Sequence, residues 1–348
     1  MRSVGYGIVG LGVGTAHVKA ALKAEGCHAV VICDKDEKRL HDVGDTYGIP
    51  RELRFASLEE MLEKAPIDIV SVCTPSGLHL EVAEACMKAG KHILVEKPVE
   101  ITLDKIDAMI DSAKAYGVKA GCIFQTRFRE GNQRIKNLLM EERLGKLVTA
   151  NFHVKWYRTQ EYYGWNGGWR GTWALDGGGA LMNQSIHTVD LMRWLLGPIK
   201  SVFAKAGTYG HVIETEDTAV AVVTFENGAI ATLIGTTCAY PGLEVSAQIH
   251  GLKGSYYAKD GVIELLKLEG EPEVELKQAE GASDVGGGSS NPMSISLEGH
   301  AAQVQDMITA VLTNRSPIIG IEEGREAVRI ILAIYESART GKEVFLKR

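Results

Sequence analysis

The sequence predicts an α/β protein of two domains: a doubly wound parallel sheet first, then an α+β domain with a large, open, mostly antiparallel sheet. Three observations carry this. Short apolar, β-branched runs alternate with helical patterns through residues 1–121, the arrangement that builds parallel strands joined by crossover helices. The first of those runs leads through a glycine cluster into a helix. Across 122–348 the pattern changes to aromatic and glycine-rich segments, then to paired apolar runs joined by turn residues. At 348 residues the chain also exceeds what one hydrophobic core usually supports.

Val4 to Val9 forms the first strand, and Gly10-Leu11-Gly12-Val13-Gly14 follows it before the helical pattern from His17 to Leu22. Strand, glycine turn and helix in that order make a phosphate cradle, in which Gly10 allows a tight turn and Gly12 lets a diphosphate approach the backbone. The cluster departs from G-x-G-x-x-G, because Thr15 occupies the third position and Gly14 comes one residue early. Ala29 to Cys33 is the second strand and ends on Asp34, at the distance where an acidic side chain meets a ribose 2′-hydroxyl. That acid favours NAD over NADP, a preference that Lys35 and Arg39 soften. Ser57 with Glu60 three residues on marks a helix start. Ile67 to Cys73 is the fourth strand; it runs into Thr74-Pro75-Ser76-Gly77 and a helix with His79 in its first turn. The next strand, Ile93-Leu94-Val95, ends on Glu96-Lys97-Pro98. Ligands of open parallel sheets bind outside the carboxyl ends of the strands, which places Lys97 at a binding crevice. Read from position alone, Lys97 is equally a surface charge or a tuned proton donor and acceptor. A helix over Ile101 to Tyr116 and a strand over Val118 to Phe124, continuing into Gln125, complete the first domain.

The glycine turn, Asp34, Thr74-Pro75 with His79, and above all Glu96-Lys97-Pro98 resemble the glucose-fructose oxidoreductase, inositol dehydrogenase and rhizopine-catabolism (Gfo/Idh/MocA) family. The resemblance implies a Rossmann domain, a nicotinamide cofactor, and a lysine at Lys97 that binds substrate and belongs to the proton path. The residues expected around the cofactor are Gly10, Gly12, Val13, Gly14, Asp34 and Lys35, then Thr74, Pro75, His79, Glu96, Lys97 and Gln125. Trp169 and Arg170 are expected to join them from the second domain.

From Asn151 to Asp190 indoles, phenols and arginines recur among glycines, a composition suited to the faces and hydroxyl edges of a sugar or to an aromatic-rich seam between domains or subunits. Trp165-Asn166-Gly167-Gly168 is expected to be a flexible loop. On a helix running from Ala180 to Leu196, Asn183, His187 and Asp190 share one face. This stretch is similar to the family's Gly-Gly-Gly-x-Leu-x-Asp-x-Gly-x-His-x-x-Asp motif, which implies that His187 takes a hydroxyl proton. Asn183 replaces the motif's aspartate and Ser185 its glycine. Asparagine hydrogen-bonds a substrate but cannot act as a base, so that role falls on His187, assisted or replaced by Lys97. Arg127, Tyr163, Arg170, Trp173, Asn183, Gln184 and Asp190 are the expected substrate ligands. Downstream, Val220 to Phe225 and Ala229 to Ile234 form a hairpin across Glu226-Asn227-Gly228, and three more strands follow by residue 267. The stretch 282–291 is expected to be mobile, and Gln303 to Leu312 and Glu323 to Arg339 to be closing helices. The resemblance implies that the open sheet face pairs subunits into a homodimer or homotetramer.

A net charge of -6 without a dense basic run speaks against a nucleic-acid surface. No signal layout or membrane-length apolar run occurs, and six cysteines without paired spacing suit reduced thiols in the cytoplasm. No metal-ligand spacing stands out. The expected activity is NAD-dependent hydride transfer at a secondary alcohol of a sugar, cyclitol or sugar derivative, with C3 a candidate carbon. A redox-cycling glycosidase on the same scaffold and a non-catalytic NAD-binding regulator are the alternatives.

Overall fold

The computed structural model describes residues 3–272 and 297–346; the glycine-rich stretch 282–291 lies outside them. In chain order the first elements are β1 (Val4–Val9), α1 (Gly14–Lys23), β2 (Cys27–Cys33), α2 (Glu37–Thr46), β3 (Arg54–Phe55) and α3 (Leu58–Lys64). Next come β4 (Ile69–Val72), α4 (His79–Lys88), β5 (His92–Val95), α5 (Leu103–Ala115), β6 (Ala120–Cys122), α6 (Glu130–Met140) and β7 (Leu147–Lys155). They are followed by α7 (Gln160–Gly164), α8 (Ile186–Leu196), β8 (Ile199–Gly207), β9 (Thr218–Phe225), β10 (Ile230–Thr236) and β11 (Ser246–Gly251). The last are β12 (Gly254–Lys259), β13 (Val262–Leu268), α9 (Leu297–Leu312), α10 (Ile321–Thr340) and β14 (Val344–Phe345).

The chain divides into one unit of Met1–Gln125 with Leu297–Val328 and another of Thr126–Ser296 with Arg329–Arg348. In the first, six parallel strands run in the order β3-β2-β1-β4-β5-β6, the doubly wound order whose switch point lies between β1 and β4. The strands are buried nearly throughout, which is why they are continuous apolar runs rather than alternating ones. Ser57 accepts from the N–H of Glu60 and caps α3 as its spacing predicts.

A boundary at 121/122 does not describe this unit, because α9 belongs to it. Val304, Met307 and Ile308 of α9 are fully buried in the same core as Val18 and Ala21 of α1. Gln303 accepts from the N–H of Phe124 and donates to the carbonyl of Cys122.

In the second unit eight strands run in the order β13-β12-β11-β7-β10-β9-β8-β14. All neighbours are antiparallel except β7 and β10. Ala219, Ala221 and Val223 of β9 alternate inward, whereas Val220 and Val222 face outward and are exposed. Among the described residues no helix is long and apolar enough to cross a membrane.

Candidate active site

In the first unit the glycine turn, Asp34, Thr74 and Lys97 follow the carboxyl ends of β1, β2, β4 and β5, all on one edge of the sheet. Gly10 has φ +90, and a Cβ there would lie 2.6 Å from the carbonyl oxygen of Cys73, so only glycine fits. A Cβ on Gly12 would meet nothing within 4 Å: the turn faces open space. Gly14, one residue earlier than the usual third glycine, still performs that glycine's packing task, since a Cβ would lie 2.9 Å from Ile8 and 3.2 Å from Cys73. Val13 precedes α1 and is partly exposed. Asp34 is buried and accepts from the N–H of Leu11 at 2.8 Å and of Asp36 at 2.9 Å, which locks the second strand's acid against the glycine turn. Arg39 reaches it at 3.4 Å, and Lys35 is exposed. Thr74 Oγ1 and Gln125 Oε1 are buried without a partner in the described residues, and Pro75 is half-buried beside Thr74. Open space before Gly12, a locked acid, and two buried polar atoms lacking partners fit a bound dinucleotide.

Two of the expected cofactor ligands have other tasks. Glu96 is 3% exposed and turned inward. Its carboxylate accepts from His17 Nε2 at 2.9 Å, lies 3.4 Å from His300 Nε2, and takes the Lys97 N–H at 3.1 Å. His17 Nδ1 lies 2.8 Å from Ser71 Oγ, and Ser71 lies 2.8 Å from the Tyr6 hydroxyl. A consistent donor order runs Tyr6 to Ser71 to His17 to Glu96. Burial opposes the charge on Glu96, but hydrogen bonds from His17 and His300 outweigh it and hold the carboxyl well below its usual range. Burial lowers His17, which keeps its imidazole neutral. His79, also expected beside the cofactor, is buried with Nδ1 2.9 Å from the carbonyl of Pro98 and Nε2 2.9 Å from that of Thr74. Its ring ties the Thr74 loop to the turn that carries Lys97. Lys97 itself is half-buried.

In the second unit the expected helix from Ala180 divides. Ala180–Ser185 is a π-helical turn, and α8 begins only at Ile186. Gly235 of β10 admits that turn, because a Cβ there would lie 2.5 Å from Ser185 Oγ. Gly179 admits the chain before it, because a Cβ would lie 1.9 Å from the Glu216 carbonyl oxygen. The wider turn breaks the single polar face. Asn183 donates to Asp176 at 2.5 Å and accepts from Gln184 at 2.9 Å. Gln184 also donates to the Tyr162 hydroxyl and accepts from Arg158. Asp190 instead turns inward and takes Arg127 in a two-pronged ion pair at 2.8 and 2.5 Å, with both side chains buried. Arg127 and Asp190, both expected as substrate ligands, are thus bound to each other. His187 is half-buried on the first turn of α8.

Arg170 lies 4.9 Å from the ring centres of both Tyr162 and Trp169, and its Nη1 is buried without a partner in the described residues. A guanidinium set over two aromatic rings is preorganised for a carboxylate or phosphate. Tyr163 is buried, with its hydroxyl on Thr237 at 2.8 Å and its ring against His211, so it is not open to substrate. Trp173 is exposed, held by Glu214 through its indole and backbone N–H. Trp165–Gly167 forms a short 3-10 turn. Sequence spacing offered no signal for His17, Ser71, His300, Asp176 or Glu216, each contributed by a different segment. Tyr162 and Arg158 lay inside the aromatic stretch without a pattern to single them out.

Residues 4–124 match the family model described as an oxidoreductase family with an NAD-binding Rossmann fold, and 132–257 match that of the GFO/IDH/MocA C-terminal domain. Among solved structures, the WlbA dehydrogenase from Bordetella pertussis in complex with NADH and UDP-GlcNAcA is 30% identical, covering 100% of each chain with a TM-score of 0.86. Myo-inositol 2-dehydrogenase of Thermotoga maritima is 28% identical over 72% of this chain and 74% of its own. D-xylose 1-dehydrogenase (NADP(+)) 2 of Haloferax volcanii is 27% identical over 98% of this chain and 99% of its own.

Proposed function

The chain belongs to the Gfo/Idh/MocA family of NAD-binding oxidoreductases, and from that premise we propose that its substrate is a sugar derivative bearing a carboxylate, oxidised or formed at a secondary alcohol, with C3 the reacting carbon. It is a dehydrogenase of the sugar and cyclitol class. The observation that carries the substrate reading is Arg170, whose stacked guanidinium keeps a buried nitrogen in need of an acceptor. Binding of UDP-GlcNAcA by a relative 30% identical over its full length supports the same class.

The glycine turn, Asp34, Thr74 and Gln125 would hold the dinucleotide, which when bound supplies hydride acceptance and donation. Lys97 Nζ stabilises negative charge developing on the substrate oxygen, and the His187 imidazole takes the hydroxyl proton. Asn183 orients substrate without exchanging a proton. The outward face of the second unit's sheet pairs two copies of the chain.

The test is a panel of uronates, nucleotide-linked uronates, neutral sugars and inositols offered with oxidised NAD. Nicotinamide reduction with the carboxylated members, and a KM raised at least about tenfold by Arg170→Met, is expected. Equal turnover of neutral sugars by both proteins sinks the carboxylate assignment. Cleavage of a chromogenic glycoside with no net NADH would move the chain to the redox-cycling glycosidases.

A further inference from the structure

The connection between β8 and β9 and the end of β10 bring together three side chains that sequence spacing leaves far apart. His211, Asp217 and Cys238 offer a ring nitrogen, a carboxylate oxygen and a thiol sulfur, all within 4.8 Å of one another. His211 Nδ1 lies 3.1 Å from Asp217 Oδ2 and 3.6 Å from Cys238 Sγ. We propose that these three residues form a binding site for a zinc-like divalent cation, with one coordination position left open.

Four features support a built site. First, His211 Nε2 lies 2.9 Å from the carbonyl oxygen of Arg158. A carbonyl only accepts, so Nε2 carries a hydrogen, and Nδ1, on the side of the other two groups, is the nitrogen left to ligate a cation. This is the outer bond by which metal-binding histidines are oriented. Second, the N–H groups of Tyr209, Gly210 and His211 all donate to the Asp217 carboxylate, at 2.9, 2.8 and 3.1 Å, which curls the loop around it and fixes its direction. Third, a Cβ on Gly210 would lie 2.9 Å from Cys238 Sγ, so glycine leaves room for the sulfur. Fourth, the Tyr163 ring packs on the imidazole at 4.9 Å, and its hydroxyl is tied to Thr237, the neighbour of Cys238.

The spacing suits the chemistry. Around a tetrahedral zinc with bonds of about 2.3 Å to sulfur and about 2.0–2.1 Å to nitrogen and oxygen, sulfur and nitrogen stand about 3.5 Å apart and nitrogen and oxygen about 3.3 Å. A mixed sulfur, nitrogen and oxygen set selects zinc, or cobalt as its spectroscopic substitute, over magnesium or calcium. Binding displaces the thiol proton to solvent and leaves a thiolate on the cation, with no change of oxidation state. Within the sheet, the cation would tie the ends of three adjacent strands.

The test uses the full chain after chelator treatment. Titration with Co²⁺ is expected to raise a thiolate-to-cobalt charge-transfer absorption that saturates at one equivalent, is displaced by Zn²⁺, and is absent in Cys238→Ser. On the unmutated protein, Zn²⁺ is expected to slow alkylation of Cys238, followed by peptide mapping, by about tenfold or more, while the other half-buried thiol, Cys27, reacts at an unchanged rate. No charge-transfer band, a band that persists in Cys238→Ser, or an alkylation rate at Cys238 indifferent to Zn²⁺ overturns the proposal. The cluster is then a hydrogen-bonded ion pair with a neighbouring thiol.

Discussion

Lys97 stands two residues beyond the end of β5, half-buried, with its backbone N–H donated to a carboxylate that burial would otherwise neutralise. The His17 and His300 hydrogen bonds that keep Glu96 charged therefore also hold the turn from which the Lys97 ammonium projects. Replacing Lys97 with alanine removes the Nζ charge without touching the glycine turn or Asp34. The expected outcome is a kcat lower by about 10²–10⁴-fold with NAD affinity nearly unchanged, read from steady-state rates and a direct dinucleotide titration. A kcat within a few fold of the parent would take Lys97 out of the proton path. Residues of this kind were legible because Gly10, Asp34, Thr74 and Lys97 each follow a strand, and the edge of a parallel sheet gathers strand ends. Their partners were not. Glu96 beside Lys97 suggested the cofactor, yet its side-chain partners arrive from positions 17 and 300, and no local spacing reports such a meeting. The pairing of Arg127 with Asp190 was hidden for the same reason, 63 residues apart.

The element around Ala180–Ser185 shows where periodicity fails. Apolar and polar positions at helical spacing predicted one continuous helix, but backbone contacts with Glu216 before the turn and with β10 beneath it select a wider one. The Glu216 carboxylate closes this arrangement, accepting from the N–H groups of Gly179 and Leu181 and from the Tyr335 hydroxyl of α10. Burial outweighs those three donors and pushes the Glu216 carboxyl from 4.5 up to about 7. A carboxyl raised on folding binds its proton more tightly in the native state. Its contribution to stability is complete below about pH 4.5 and is lost as pH rises through about 7, on the order of 3 kcal/mol in all. Glu216→Gln keeps the shape and removes the proton. The gap in Tm between the glutamine variant and the parent should widen in the variant's favour from pH 5 to pH 8, measured by calorimetry. Parallel profiles would mean that the native carboxyl titrates in the ordinary range.

For the whole molecule, the two sheets were legible from the change of pattern near residue 122, because buried parallel strands are uniformly apolar and a one-sided sheet alternates. The return of α9 to the first unit was not, since Val304, Met307 and Ile308 would suit any apolar face. Alternation also says which face of the eight-stranded sheet stays open. Across it, in register, run Phe203, Val222, Thr232, Asn151, Gln248, Tyr257 and Leu265, one from each strand from β8 to β13. Phe203 and Val222 are 43% and 44% exposed, with Val220 and Ile230 beside them at 45% and 51%, an apolar patch that solvent tolerates poorly. A second copy presenting the same row would cover it about a two-fold axis, with Thr232 and Asn151, hydrogen-bonded to each other, near the middle. Val222→Asp places a charge in the apolar part of that contact. Light scattering on the eluting protein should give an even multiple of the chain mass for the parent and a single chain mass for the variant. A monomeric parent, or a variant that keeps the parent's mass, would return this face to solvent.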